Sequence, residues 1–297
     1  MEEEQEGNTR AGYGQELIKN LSRTLTEEFG KGFTVRNLEL IRKFYITYSQ
    51  DEKTKSVISK SENPFKLSWT HYIRLVRIEN GEERRFYQIE AEKENWTVRE
   101  MDRQINSCLY DRLALSRDKE KVMELSHVGQ IIEKPKDIIK DPIILEFLGL
   151  ETMPSYSENQ LESSIITHIE KFIMELGEGS LFQGRQVRFT FDEDHYFVDL
   201  VFYNRILKCF VLIDLKIGKL KHQDIGQMQM YVNYYDRFVK LPDENKTIGI
   251  IICRDKNDTL IEITLPENNE QIFASKYLTI LPTKEELKRI VEEEENL

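Results

Sequence analysis

A chain of 297 residues, 39% hydrophobic and 32% charged, has the composition of a folded protein with room for two domains of ordinary size. Its three cysteines, Cys108, Cys209 and Cys253, lie far apart with no CxxC pair, which argues against a zinc knuckle or a secreted disulfide framework and predicts a reducing, cytoplasmic setting. No apolar run approaches membrane-spanning length, the acidic start is the opposite of a signal peptide, and a net charge of -11 tells against a uniformly basic nucleic-acid binder, although residues 22–127 carry a small positive excess.

The first half reads as helices. Leu17, Leu21, Leu25 and Phe29 recur at four-residue steps, followed by Leu38, Ile41, Phe44, Tyr45 and Tyr48 at helical spacing. After a polar stretch from Gln50 to Asn63, further helices are predicted at Trp69–Ile78, Arg85–Asn95 and Thr97–Leu113, with Thr97 and Glu100 in capping-box order. The run Leu67–Tyr72 followed by Trp96–Met101 suggests a helix-turn-helix-like unit, and Phe33-Thr34-Val35-Arg36 repeats the aromatic-Thr-Val-Arg start of Trp96-Thr97-Val98-Arg99. In both, Thr would cap the helix and Arg would lie in its first turn, near where a recognition helix meets phosphates. Arg36, Arg42, Lys43, Arg74, Arg77 and Arg99 are therefore the candidate nucleic-acid contacts; the alternative is plain helical packing with Trp69 and Trp96 in the core.

Glu133-Lys134-Pro135-Lys136 breaks the helical pattern, and Asp141-Pro142 is expected to restart a short helix. These signals predict a helical accessory domain over 1–128, a linker over 129–154 and a second domain over 155–297. In the second domain Ser157 with Gln160 can cap a helix running from Leu161 to Leu176. Strands are predicted at Gln186–Asp192, Tyr196–Tyr203 and Ile206–Lys216, the last two forming a hairpin through Asn204 and Arg205. A helix over His222–Val239, a buried strand over Thr247–Cys253, an edge strand near Tyr277–Leu281 and a closing helix capped by Thr283 complete an α/β pattern.

Three charges interrupt the otherwise apolar hairpin: Asp199 on one arm, Asp214 and Lys216 on the other. Burying an isolated carboxylate is costly unless it is paired or bound to metal. Side chains alternate along a strand, so Asp214 and Lys216 share a face, and the two simplest turns set Asp199 on that face opposite Phe210 or Leu212. Two carboxylates and an ammonium are suited to metal-assisted phosphodiester hydrolysis, or alternatively to a buried salt bridge. Glu162 on the preceding helix could add a third carboxylate, and Gln227 and Tyr231 stand four apart on one face of the following helix.

Glu162, Asp199, Asp214-x-Lys216 and Gln227-x-x-x-Tyr231, on a helix, a hairpin and a helix in that order, resemble the PD-(D/E)XK nucleases. The strings Phe197–Tyr203, Val211–Lys219 and His222–Tyr235 are similar to the YhcG family of bacterial nucleases, and the resemblance spans nearly the whole chain. It implies a restriction-endonuclease-like C-terminal domain and a Mg2+-dependent (or Mn2+-dependent) nuclease acting on DNA, double-stranded by expectation. Asp199 and Asp214 would ligate the metal with Glu162 in support. Lys216 would position or activate water, and Gln227 and Tyr231 would orient the lysine, the metal water or a phosphate. Val198 stands where the motif's name has Pro, and Asp214 where many members carry Glu. Family members tend to carry a helical segment ahead of the point where this chain starts, which implies a shortened N-terminus. The reading leaves room for a homo-oligomer and for a restriction or defence partner. Its rivals are a noncatalytic DNA-binding scaffold of a defence, restriction or mobile-element system, and an interaction module whose acidic ends engage a basic partner.

Overall fold

The computed structural model describes residues 10–49, 65–115, 119–150, 153, 155–287 and 289. The polar stretch 50–63 and the acidic ends of the chain lie outside these. Packing divides the chain into two compact units, Met1–Met101 and Asp102–Leu297, a division earlier than the linker expected at 129–154. Among the described residues no helix is long and apolar enough to cross a membrane.

The first unit is helical, with α1 (Arg10–Phe29), α2 (Val35–Ser49), α3 (Trp69–Leu75), α4 (Gly81–Lys93) and the start of α5 (Val98–Asn106). Its core is aromatic: Phe44 meets Tyr48, Phe65 and Tyr72 with centroids 4.8, 5.1 and 5.4 Å away. Trp69 packs edge-on against Phe44 yet remains 40% exposed, so it is only partly a core residue. The capping box before α5 forms as the sequence predicts, with the Thr97 N–H donating to Glu100 Oε2 and the Glu100 N–H to Thr97 Oγ1.

In the second unit the helix expected to run unbroken to Leu113 is split between α5 and α6 (Leu109–Leu115), because Cys108 adopts a left-handed backbone conformation at φ 51°. The break lets Arg112 fold back, donating through Nε to the Ser107 carbonyl (2.9 Å) and through Nη1 to the Pro142 carbonyl and to Glu175. Glu175, fully buried, also takes the Ile144 N–H (3.0 Å) and an ion pair from Arg103 (3.3 Å). After α7 (Lys119–Val128), Asp141-Pro142 leads into a strand, β1 (Ile143–Ile144), not the expected helix. Asp141 accepts the Lys276 N–H (2.9 Å) of a neighbouring strand, which commits the segment to the sheet.

The Ser157–Gln160 capping box opens α8 (Glu158–Thr167), which gives way at His168 to α9 (Ile169–Leu176). Then come β2 (Ser180–Phe191), β3 (Asp194–Asn204), β4 (Cys209–Lys219), α10 (His222–Tyr234) with a π-helical turn over Tyr235–Val239, β5 (Ile248–Asp255), α11 (Asp258–Thr264) and β6 (Ile272–Leu278). The six-stranded sheet has the order β1-β6-β5-β4-β3-β2, parallel from β1 to β4 and antiparallel across β3 and β2. β6, expected at an edge, is interior because the two residues of β1 pair outside it. Helices cover both faces, which explains the continuous apolar runs of β4 and β5. Leu161, Ile165 and Phe172 pack with Ile213, Leu215 and Ile250 on one side, and Ile225, Met228 and Val232 with Leu212, Ile251 and Ala274 on the other. The close seat of α10 is made by Gly249 of β5, where a Cβ would lie 2.5 Å from Met228 Sδ.

Candidate active site

The β3–β4 hairpin turns through more residues than its simplest form. Asn204 Oδ1 accepts the N–H groups of Ile206 and Leu207, Lys208 takes φ 50°, and the ladder resumes at Asn204–Cys209. This register pairs Leu200 with Ile213 and, continued one step past that last pair, brings Asp199 level with Asp214 rather than with Phe210 or Leu212. The face was anticipated and the register was not. The paired ladder ends at Leu200–Ile213, and Asp199 Oδ2 accepts the backbone N–H of Leu215 at 2.8 Å. Lys216 reaches back along β4 to set its Nζ 2.8 Å from Asp214 Oδ2.

Burial of Asp214 pushes its carboxyl up to about 6; Lys216 opposes that shift, and the charge of Asp199 reinforces it. For Lys216, burial favours loss of the proton, but Asp214 outweighs it and holds the ammonium above its ordinary range. Glu162 on α8 is raised as well, through burial and the charge of Asp199, despite hydrogen bonding from Gln186 and the charge of Arg185.

Gln186 of β2 is the residue that sequence reasoning missed. Its amide donates to Glu162 Oε2 (2.6 Å) and to Asp199 Oδ1 (3.0 Å), tying the helix carboxylate to the strand carboxylate. It faces Asp199 across β2–β3 because Arg185 pairs with Leu200 and Val187 with Val198. Its positive φ of 45° is unusual inside a strand. Only the register could have flagged it. Arg185 lies 3.8 Å from Glu162 Oε1.

Gln227 donates to the Tyr231 hydroxyl, which donates in turn to the Phe197 carbonyl at 2.9 Å. Tyr231 is buried, and burial pushes its hydroxyl up to about 12, so the pair clamps α10 to β3 two residues before Asp199. The candidate nucleic-acid contacts all lie in the first unit. Arg36, Arg42 and Lys43 are exposed on α2, Arg77 is exposed just beyond α3, Arg99 is exposed in the first turn of α5, and Arg74 on α3 is partly buried.

The donor set suits a hard cation, being carboxylate oxygen throughout, and Glu162 Oε1 is buried without a hydrogen-bond partner. Among the described residues no three His, Cys, Asp or Glu side chains come together as a closed metal cage, since the Gln186 amide stands between Glu162 and Asp199. The residues present therefore fit a hard divalent cation at Asp199 and Asp214.

The family profile described as the YhcG PDDEXK nuclease domain matches residues 136–292, and that of the DUF1016 N-terminal domain matches residues 1–112. The chain is 34% identical over 310 residues to YhcG of Escherichia coli (strain K12), an alignment covering 97% of this chain and 82% of the relative. Among solved structures, a repair endonuclease from Pyrococcus abyssi aligns with 41% of the chain at 15% identity and a TM-score of 0.28. A complex of EndoMS with dsDNA aligns with 44% of it at 14% identity and a TM-score of 0.30. In both cases the chain spans about half of the solved chain, too distant a likeness to bear on activity.

Proposed function

Because the chain belongs to the YhcG family of PDDEXK nucleases, we propose that it is an endonuclease that cuts double-stranded DNA with a divalent cation, Mg2+ or Mn2+, at the β3–β4 fork. The observation that carries this reading is that Asp199 is held by the Leu215 N–H, between Asp214 and Lys216, with the Lys216 ammonium 2.8 Å from Asp214. When bound, the cation would stabilise negative charge on the scissile phosphate and make water a better nucleophile. Asp199 and Asp214 would hold it. The Leu215 N–H fixes one Asp199 oxygen, while Gln186 fixes the other and links it to Glu162, so the carboxylate is oriented before any substrate arrives.

Lys216 would supply positive charge towards the phosphate as negative charge grows there. Gln227 and Tyr231 act at one remove: by clamping the Phe197 carbonyl they keep β3, and hence Asp199, in register with α10. The first unit would engage DNA through phosphates, using the exposed Arg36, Arg42, Lys43, Arg77 and Arg99 and the partly buried Arg74.

The test is a cleavage assay on supercoiled plasmid and on single-stranded circles with Mg2+, Mn2+ or EDTA. The reading requires nicking or linearisation of plasmid with metal, abolished by EDTA and by Lys216→Ala. Cleavage that persists in EDTA, or its absence with either metal, would overturn it.

A further inference from the structure

Beside the Gln227–Tyr231 pair lies a pocket of about 400 Å³ that the nuclease reading does not use. Phe189 forms the link between the two: its ring meets Tyr231 edge-on at 5.5 Å and stacks on Tyr234 at 4.1 Å. At the mouth stand two exposed rings, Phe191 at the end of β2 (52% exposed) and Phe238 in the π-helical turn (64% exposed). Their centroids are 6.4 Å apart with planes inclined by 36°. Inserting a flat ring between two others takes about 7 Å, twice the carbon–carbon contact distance, so a small opening suffices.

The polar side chains lining the pocket are two neutral amides, the Tyr234 phenol and one cation. Gln229 and Asn233, four residues apart on α10, offer donors and acceptors from the same exposed helix face, and Arg237 follows one turn later. Gly226 adds no side chain, and nothing lies within 4 Å of where its Cβ would stand. The π turn, in which the Lys240 N–H donates to the Tyr235 carbonyl five residues back (2.9 Å), carries Phe238, and wide turns of this kind often mark functional sites. An aliphatic partner would find apolar surface here but no use for two amides. A nucleobase uses both, having two π faces and an edge of donors and acceptors, while Arg237 suits the adjoining phosphate.

We propose that this pocket takes an unpaired nucleobase of the DNA substrate, stacked on Phe238 and Phe191 and read at its edge by Gln229 and Asn233. The substrate class follows: duplex with an extrahelical or unpaired base near the cleavage point, in preference to uniform duplex. This rests on the nuclease reading, and the test separates the two.

The full chain is titrated in EDTA, where the reading forbids cutting, against three labelled duplexes: fully paired, with a single bulged adenine, and with an abasic bulge. Anisotropy should report about tenfold tighter binding to the bulged adenine than to the abasic bulge, the scale of one base stacked on an aromatic ring. Phe238→Ala and Asn233→Ala should each remove most of that preference and leave abasic affinity unchanged, and 2-aminopurine at the bulge should be quenched by the parent but not by Phe238→Ala. Equal affinities for the two bulges, or a preference indifferent to Phe238→Ala, would overturn the pocket's assignment. So would a fall in solution mass on Phe238→Ala with base preference intact, which gives the pocket to a second copy of the chain. Failure to cut any of the three with Mg2+ or Mn2+, with the preference intact, would instead count against the nuclease reading alone.

Discussion

Asp199 accepts the backbone N–H of Leu215, the residue between Asp214 and Lys216, so the carboxylate of one strand is held by the strand that carries the other two charges. The bond fills the place where the β3–β4 ladder stops and makes the point where the two strands part a preorganised site. Asp199→Asn keeps an oxygen able to accept from Leu215 while removing the charge. A melting temperature within a few degrees of the parent is expected, with plasmid cleavage reduced about 100-fold or more. A melting and nicking comparison at saturating Mg2+ checks both halves.

Gly249 sets how closely α10 lies on the sheet. A Cβ there would come 2.5 Å from Met228 Sδ and 2.9 Å from Val232 Cγ2, so Gly249→Ala must push the helix outwards at a cost of about 1–3 kcal/mol. Gln227 and Tyr231 move with that helix, and cleavage should fall as well. Urea denaturation of Gly249→Ala with and without Met228→Ala tests the account, since shortening Met228 should recover part of the loss.

Glu175 gives the second unit a predictable acid sensitivity. Burial alone would raise its pKa, but Arg112, Lys140 and Arg103 outweigh burial and lower it to about 2. With the folded value below the unfolded one, the stabilisation is complete above about 4.5, the ordinary glutamate value, and is lost as pH falls towards 2. Glu175→Gln should therefore be clearly less stable than the parent at pH 7, by about 3–5 kcal/mol because buried cations lose their partner, with the gap shrinking at pH 3. Urea midpoints at the two pH values read this directly.

Much of the site was legible from local rules. Strand alternation placed Asp214 and Lys216 on one face, and the Ser157–Gln160 and Thr97–Glu100 capping boxes marked two helix starts that the structure has. The rest depended on long-range facts. Asn204 lengthens the hairpin turn through its side chain, which shifts the register so that Asp199 comes level with Asp214. Gln186 acquires meaning only once that register and the position of α8 are known. Arg112 and Glu175 are 63 residues apart, so the hub they form has no local signature. β1 is two residues long, too short for periodicity to reveal, and it displaces β6 from the expected edge.

The positive residues of the first unit lead to a salt-dependence test. If that unit binds phosphates, the logarithm of affinity should fall linearly with the logarithm of salt concentration, and Arg36→Ala or Arg99→Ala should each reduce the slope by about 1. Anisotropy titrations at several salt concentrations in EDTA measure this without cutting. An unchanged slope would remove these two exposed arginines from the interface.

The central claim is that the Asp199–Asp214 pair holds the cation on which cleavage depends, and its most direct test is calorimetric titration of Mn2+ into the full chain and into Asp214→Asn. Asparagine preserves size and polarity at 214 but removes a negative charge, so the account predicts Mn2+ binding by the parent and its loss in the variant, with both proteins folded. Equal binding by the two, or no binding by the parent, would contradict it.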